Sequence, residues 1–109
     1  MFKIDDTPRF RRTITVMVPD GDGHRTDTFT AEFEAISDSE HDTFDTTTTA
    51  GIRALLARVV RRLDDIADQD GELIPYSEDL RDRVFDRSYV RIALLGAYMD
   101  ALVGAKLGN

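Results

Sequence analysis

The sequence predicts an α+β fold, an N-terminal antiparallel β-hairpin packed on a C-terminal bundle of three to four helices. Two segments before residue 36 alternate apolar and polar residues with period 2, and a cluster of Asp and Gly separates them. Beyond residue 37 the apolar residues recur at helical spacing. The chain has 109 residues, 41% of them apolar and none of them cysteine. That suits one domain, residues 1–109, divided into a hairpin region (1–36) and a helical region (37–109), with a core that needs no disulfide or metal to hold it.

The first strand is carried by Thr13-Ile14-Thr15-Val16-Met17-Val18, where β-branched residues alternate with apolar ones up to Pro19. Asp20-Gly21-Asp22-Gly23-His24 supplies turn residues, and Thr28 to Ala35 alternates again, with Phe29, Ala31, Phe33 and Ala35 on one face. A two-stranded hairpin is not stable alone in water, so its apolar face (Ile14, Val16, Val18, Phe29, Phe33) must lie on the helices.

Ser37-Asp38-Ser39-Glu40 has the spacing of a capping box, in which the serine hydroxyl takes the N3 amide and the glutamate reaches back to the N-cap amide. A short helix is expected there, with Phe44 its only large apolar residue. The run Thr46 to Thr49 offers further N-caps. Ile52, Leu55, Leu56, Val59, Val60, Leu63, Ile66 and Ala67 fall within roughly 140° at 3.6 residues per turn, so one long amphipathic helix is expected to run to Asp70-Gly71. Glu72-Leu73-Ile74-Pro75 reads as an extended link. Ser77, followed by Glu78 and Asp79, should cap a helix through Phe85, and a final helix should run from about Ser88 to Lys106, with Gly108-Asn109 closing it.

Composition and motifs exclude most chemistry. With 14 basic and 21 acidic side chains the net charge is -7, and residues 1–46 hold 11 acids against 5 bases. A field of that sign repels phosphate backbones, so no nucleic-acid partner is expected. Arg53, Arg58, Arg61 and Arg62 share the polar side of the expected long helix with Asp64, Asp65 and Asp68, and an i,i+4 pair between Arg61 and Asp65 leaves that face near neutral. Asp20-x-Asp22-x-His24 begins like a calcium loop but has Arg25 at the sixth position and Ala31 at the twelfth. Asp68-x-Asp70-Gly71-Glu72 places its glycine too early. Both read as turns. His24 and His41 have no nucleophile or second ligand at informative spacing, and there is no phosphate-binding glycine loop or nucleophile elbow. The expectation is therefore no enzyme, no metal and no cofactor. The most apolar run, Ile92 to Ala105, is too short to span a bilayer and contains Asp100; with no targeting segment, the reading is a soluble cytoplasmic protein that does not engage membranes.

The last helix is the informative feature. Val90, Leu94, Tyr98 and Ala101 make one apolar face; Ile92, Leu95, Met99, Leu102 and Val103 make a second; Ala93, Gly96, Ala97, Gly104 and Ala105 make a small-residue face broken only by Asp100. A helix apolar on two faces is either central in its own fold or shared with a partner. Leu94, Leu95, Tyr98, Met99 and Leu102 are the candidate partner-binding residues, without a choice of face.

Nearly the whole chain resembles a known family. The resemblance runs through Phe2-Lys3-Ile4, Thr7-Pro8-Arg9-Phe10, the hairpin turn Pro19-Asp20-Gly21-Asp22-Gly23, the helical stretch Leu55 to Ile66, the stretch Asp64 to Ser77, the closing stretch Tyr89 to Ala105, and Gly108-Asn109. In these elements the chain is similar to the small tail assembly chaperones of long-tailed bacteriophages, although Leu63 stands where such chaperones commonly carry tryptophan. The resemblance implies a non-enzymatic job in the cytoplasm of a bacterial host: binding the long helical tape measure protein, keeping it soluble, and assisting tail tube subunits to assemble around it, with self-association into a homo-oligomer open. A structural virion component, such as a head-tail connector or minor tail protein, is the alternative of a different class.

Overall fold

Arg9–Asp20 (β1) and Gly23–Glu34 (β2) form the antiparallel hairpin; β1 is longer at both ends than the alternation alone suggested, and β2 starts earlier but ends at Glu34 and not Ala35. Gly21 starts the turn at φ 58°, a left-handed conformation that favours glycine. The register sets Phe10 opposite Phe33 and Ile14 opposite Phe29, so Ile14, Val16, Phe29, Ala31 and Phe33 line one buried face. Thr13, Thr15 and Thr28 lie exposed on the other. The computed structural model describes residues 1–5 and 7–104. Among these, four helices and a third strand accompany the hairpin: Asp38–His41 (α1), Thr49–Val59 (α2), Val60–Asp64 (β3), Glu78–Phe85 (α3) and Ser88–Val103 (α4).

The expected long helix is where the sequence reading fails. Helix α2 ends at Val59, and the chain continues directly into β3, which pairs antiparallel with β2 to give the sheet order β1-β2-β3. Residues 37–109 are therefore not wholly helical. The cause of the misreading is a β-bulge. Thr30, Ala31 and Glu32 face Asp64, Leu63 and Arg62, but Phe33 faces Val60, which leaves Arg61 as the extra residue. Without the bulge Val60 would point away from the core; with it, Val60 and Leu63 are both buried three residues apart, a spacing that also fits a helix. Asp65 then takes φ 65° and turns the chain out of the sheet.

The segment that follows is a small irregular ribbon. Ala67 pairs with Leu73, the Ile74 N–H donates to the Ile66 carbonyl (2.8 Å), and Asp68 Oδ1 accepts from the amides of Asp70 and Glu72. Ser77 caps α3 by accepting from the Leu80 amide at 3.0 Å, as its position predicts. The final helix runs to Val103, where Gly104 closes it at φ 66°, and the expected end at Lys106 lies outside the described residues. Gly108 and Asn109 lie outside the described residues. Helix α4 packs across β1 and against α2 and α3, so the helices cover one face of the sheet.

Two contacts mark how α1 and α2 are seated. The first is ionic. The Arg58 guanidinium on α2 donates to Glu34 at the end of β2 (2.7 Å) and to Glu40 on α1 (2.5 and 3.2 Å). Arg9 and Arg61 stand 3.5 and 3.9 Å from Glu34, whose side chain is buried. The capping box is thus only half made: Ser37 Oγ accepts from the Glu40 amide, but the Glu40 carboxylate takes Arg58 instead of returning to the N-cap. Because Arg61 belongs to the bulge and Asp65 to the following turn, the expected Arg61–Asp65 helical pair does not form; Asp65 accepts from the Thr30 hydroxyl. The second is steric. A Cβ on Gly51 would lie 1.7 Å from the Asp45 carbonyl oxygen, so only glycine lets the loop before α2 pack on its first turn.

Two outcomes follow for stability. Gly51→Ala should destabilise the fold by about 1–3 kcal/mol in urea titrations, because a backbone atom cannot move aside cheaply. The hydrogen bond from Arg58, with the charges of Arg58, Arg61 and Arg9, holds the Glu34 carboxyl below its ordinary 4.5 despite burial. A carboxyl depressed in the folded state stabilises above its unfolded pKa and loses that contribution as pH falls through the folded value. Stability should therefore decline as pH drops below about 4.5, and Glu34→Gln should flatten that part of the stability-against-pH curve.

Candidate functional site

Which face of α4 packs inward is decided by Tyr98. Its ring lies 5.5 Å from Phe33 and 6.1 Å from Phe10 between centroids, and it stacks on His41 at 6.5 Å. The hydroxyl accepts from the Ile36 N–H at 3.4 Å, and burial pushes the phenol pKa up. Leu94 and Val90 lie one and two turns earlier on the same face and are buried with it. Of the five candidate residues, Leu94 and Tyr98 are therefore core residues with no surface to offer a partner, because they close the sheet's apolar face. Leu95 is half-buried, and Met99 and Leu102 are exposed.

The remaining apolar residues form a surface. Ile92 and Val103 are 73% exposed, Met99 40% and Leu102 43%. With Leu95 they fall within roughly 100° of one another around the helix, one continuous stripe along its length. Ile92 and Val103 belong to the second face read from the sequence but were missing from the five candidates. A helix apolar almost all round carries no internal signal of which stripe turns inward; only Tyr98 and its aromatic partners on the sheet make that choice. Single exposed apolar residues are ordinary, but here four exposed ones, Ile92, Met99, Leu102 and Val103, share one stripe with half-buried Leu95.

The sites rejected on sequence grounds hold other positions. Asp20, Asp22 and His24 are exposed at or beside the hairpin turn. Asp68 caps its own turn. His41 is half-buried against Tyr98, with an Nε2 that has no hydrogen-bond partner among the described residues. Arg53 pairs with Asp86 and Arg62 with Asp64, so these arginines are tied down individually and form no basic patch with Arg58 and Arg61. No group of three His, Cys, Asp or Glu able to hold a metal occurs among the described residues, and no helix among them is long and apolar enough to cross a membrane.

Comparison with protein-family models, with characterised proteins and with solved structures gives no match to this chain.

The two faces of α4 should respond differently to truncation. Leu94→Ala should cost about 2–5 kcal/mol because it leaves a cavity in the core. Met99→Ala and Leu102→Ala should change stability by no more than about 0.5 kcal/mol, as surface substitutions do. Denaturant midpoints of the purified variants check both.

Proposed function

We propose that the protein is a tail assembly chaperone of a long-tailed bacteriophage, a non-enzymatic binder that covers apolar stretches of the tape measure protein in the host cytoplasm and assists tail tube subunits to assemble around it. The observation that carries this reading is the stripe on α4 in which Ile92, Met99, Leu102 and Val103 are exposed and Leu95 is half-buried. An amphipathic client helix can lay its own apolar face along such a stripe, which replaces water against both. Unbranched Met99 suits a surface that must accept a client of varied sequence. The acidic first part of the chain, with 11 acids and 5 bases in residues 1–46, supplies the charge that keeps such a complex dispersed. The resemblance in the stretches Asp64 to Ser77 and Tyr89 to Ala105 supports the same reading.

The test is co-expression with a tape measure protein followed by co-precipitation. Ile92→Ala, Met99→Ala and Leu102→Ala should lower capture of the tape measure protein while leaving the melting temperature of the chaperone unchanged, because an interface residue is buried only in the complex. If every substitution that weakens capture also lowers the melting temperature in proportion, α4 is only core and the reading fails.

A further inference from the structure

The three-stranded sheet is incomplete. β3 pairs with β2 only from Thr30 to Phe33, so β2 residues Gly23–Phe29 have a strand partner on the β1 side alone. Beside that open edge lies a cleft of about 920 Å³, walled by the 65–74 segment, α3 and the first turn of α4, within the about 300–1,000 Å³ usual for ligand pockets. Five consecutive residues of β2, Arg25 to Phe29, line it. A strand shows alternate residues to one face; five in a row means that its backbone edge forms the wall. Val16, Val18, Phe29, Ile66, Val84 and Val90 make the apolar floor and sides. The charges of the lining balance, Arg25, Arg83 and Arg87 against Asp27, Asp65 and Asp68, with Arg25 paired to Asp27 (3.2 Å) and Arg87 donating to the Arg83 carbonyl.

The chain itself contains a segment of matching chemistry. Phe2-Lys3-Ile4-Asp5 alternates apolar and charged residues with period 2, as a half-buried strand does. Phe2 and Ile4 are 87% and 83% exposed, packed on nothing.

We propose that residues 2–5 of one copy add as a strand to the open β2 edge of a second copy, antiparallel to β2 and in line with β3. Phe2 then sits opposite Phe29 and Ile4 opposite Asp27, both directed into the cleft, while Lys3 lies opposite Thr28 on the solvent face. Main-chain hydrogen bonds supply the affinity and the two apolar side chains the register. The donor cannot be the same copy. Asp5 would then lie opposite Thr26, level with Met17 of β1. Met17 is eight residues along β1 from Arg9, about 26 Å at strand rise, yet the four residues from Asp5 to Arg9 reach at most about 14 Å. This self-association is independent of the tape measure reading.

The absence of native cysteine makes the test direct. Lys3→Cys and Thr28→Cys chains, purified separately and mixed under mild oxidation, should give a disulfide-linked pair about tenfold faster or more than Lys3→Cys mixed with Thr13→Cys, an exposed position on the same sheet face but on β1. In sedimentation, the wild-type chain should show concentration-dependent association that Phe2→Ser with Ile4→Ser weakens by about tenfold or more, at an unchanged melting temperature because neither side chain is packed. Cross-linking no faster than the Thr13 control, a wild-type chain that stays monomeric at every concentration, or association unaffected by the double substitution would each overturn the proposal and leave the cleft to a foreign peptide.

Discussion

One buried tyrosine organises this molecule. Tyr98 meets Phe10 of β1, Phe33 of β2 and His41 of α1, and its hydroxyl takes the Ile36 amide just past the end of β2. Three elements far from α4 in sequence converge on one of its side chains. Burial pushes the phenol pKa up and a backbone donor satisfies its oxygen, so it brings no unpaired polar atom into the core. Helical geometry then leaves no freedom. With Tyr98 inward, Leu94 and Val90 follow at intervals of four residues, and the stripe from Ile92 to Val103 is turned away from the sheet. The exposed apolar surface of α4 is thus the other side of the same contact that builds the core.

The hairpin, the caps at Ser37 and Ser77, and the last two helices were legible in the sequence because each depends on neighbours within a few residues. Alternation places Ile14 and Phe29, and a serine before two carboxylates marks the start of α3. The third strand was not legible, and the reason is physical. Leu55, Leu56 and Val59 are truly helical, but Val60 and Leu63 are buried at helical spacing only because Arg61 bulges out of the ladder. A bulge forced by pairing with β2 is a tertiary fact, and nothing local separates it from another turn of helix. The β-branched pair Val59-Val60 followed by two arginines is the only hint, and it is weak. The α4 surface was half legible: the excess of apolar residues could be seen, but the choice between its faces required knowing where Phe10 and Phe33 lie.

Electrostatics follow the same division. Most ion pairs here are exposed and add little. The exception is the Glu34–Arg58–Glu40 group, where one guanidinium serves a buried carboxylate on the sheet and a second on α1. Its partners come from three elements, so it forms only when β2, α1 and α2 are already assembled. It reports correct packing more than it drives it, because taking Glu34 out of water offsets much of the attraction. The bulged Arg61 adds to the same carboxylate, which links the irregularity of β3 to the pairing beneath α1.

The open edge of β2 and the stripe on α4 meet at one place. Tyr89 and Val90, in the first turn of α4, line the cleft, and Ile92 begins the stripe two residues later. Copies joined through the cleft would engage α4 only at its start and leave the length from Ile92 to Val103 free. Each added copy would then present another apolar stripe at a fixed spacing from the last. On the tape measure reading proposed above, repeated stripes along the client would raise the effective concentration of every later contact. Such an assembly would hold a long amphipathic chain strongly while each contact stays weak enough to release, which is the behaviour required of a binder that covers its client only for a time.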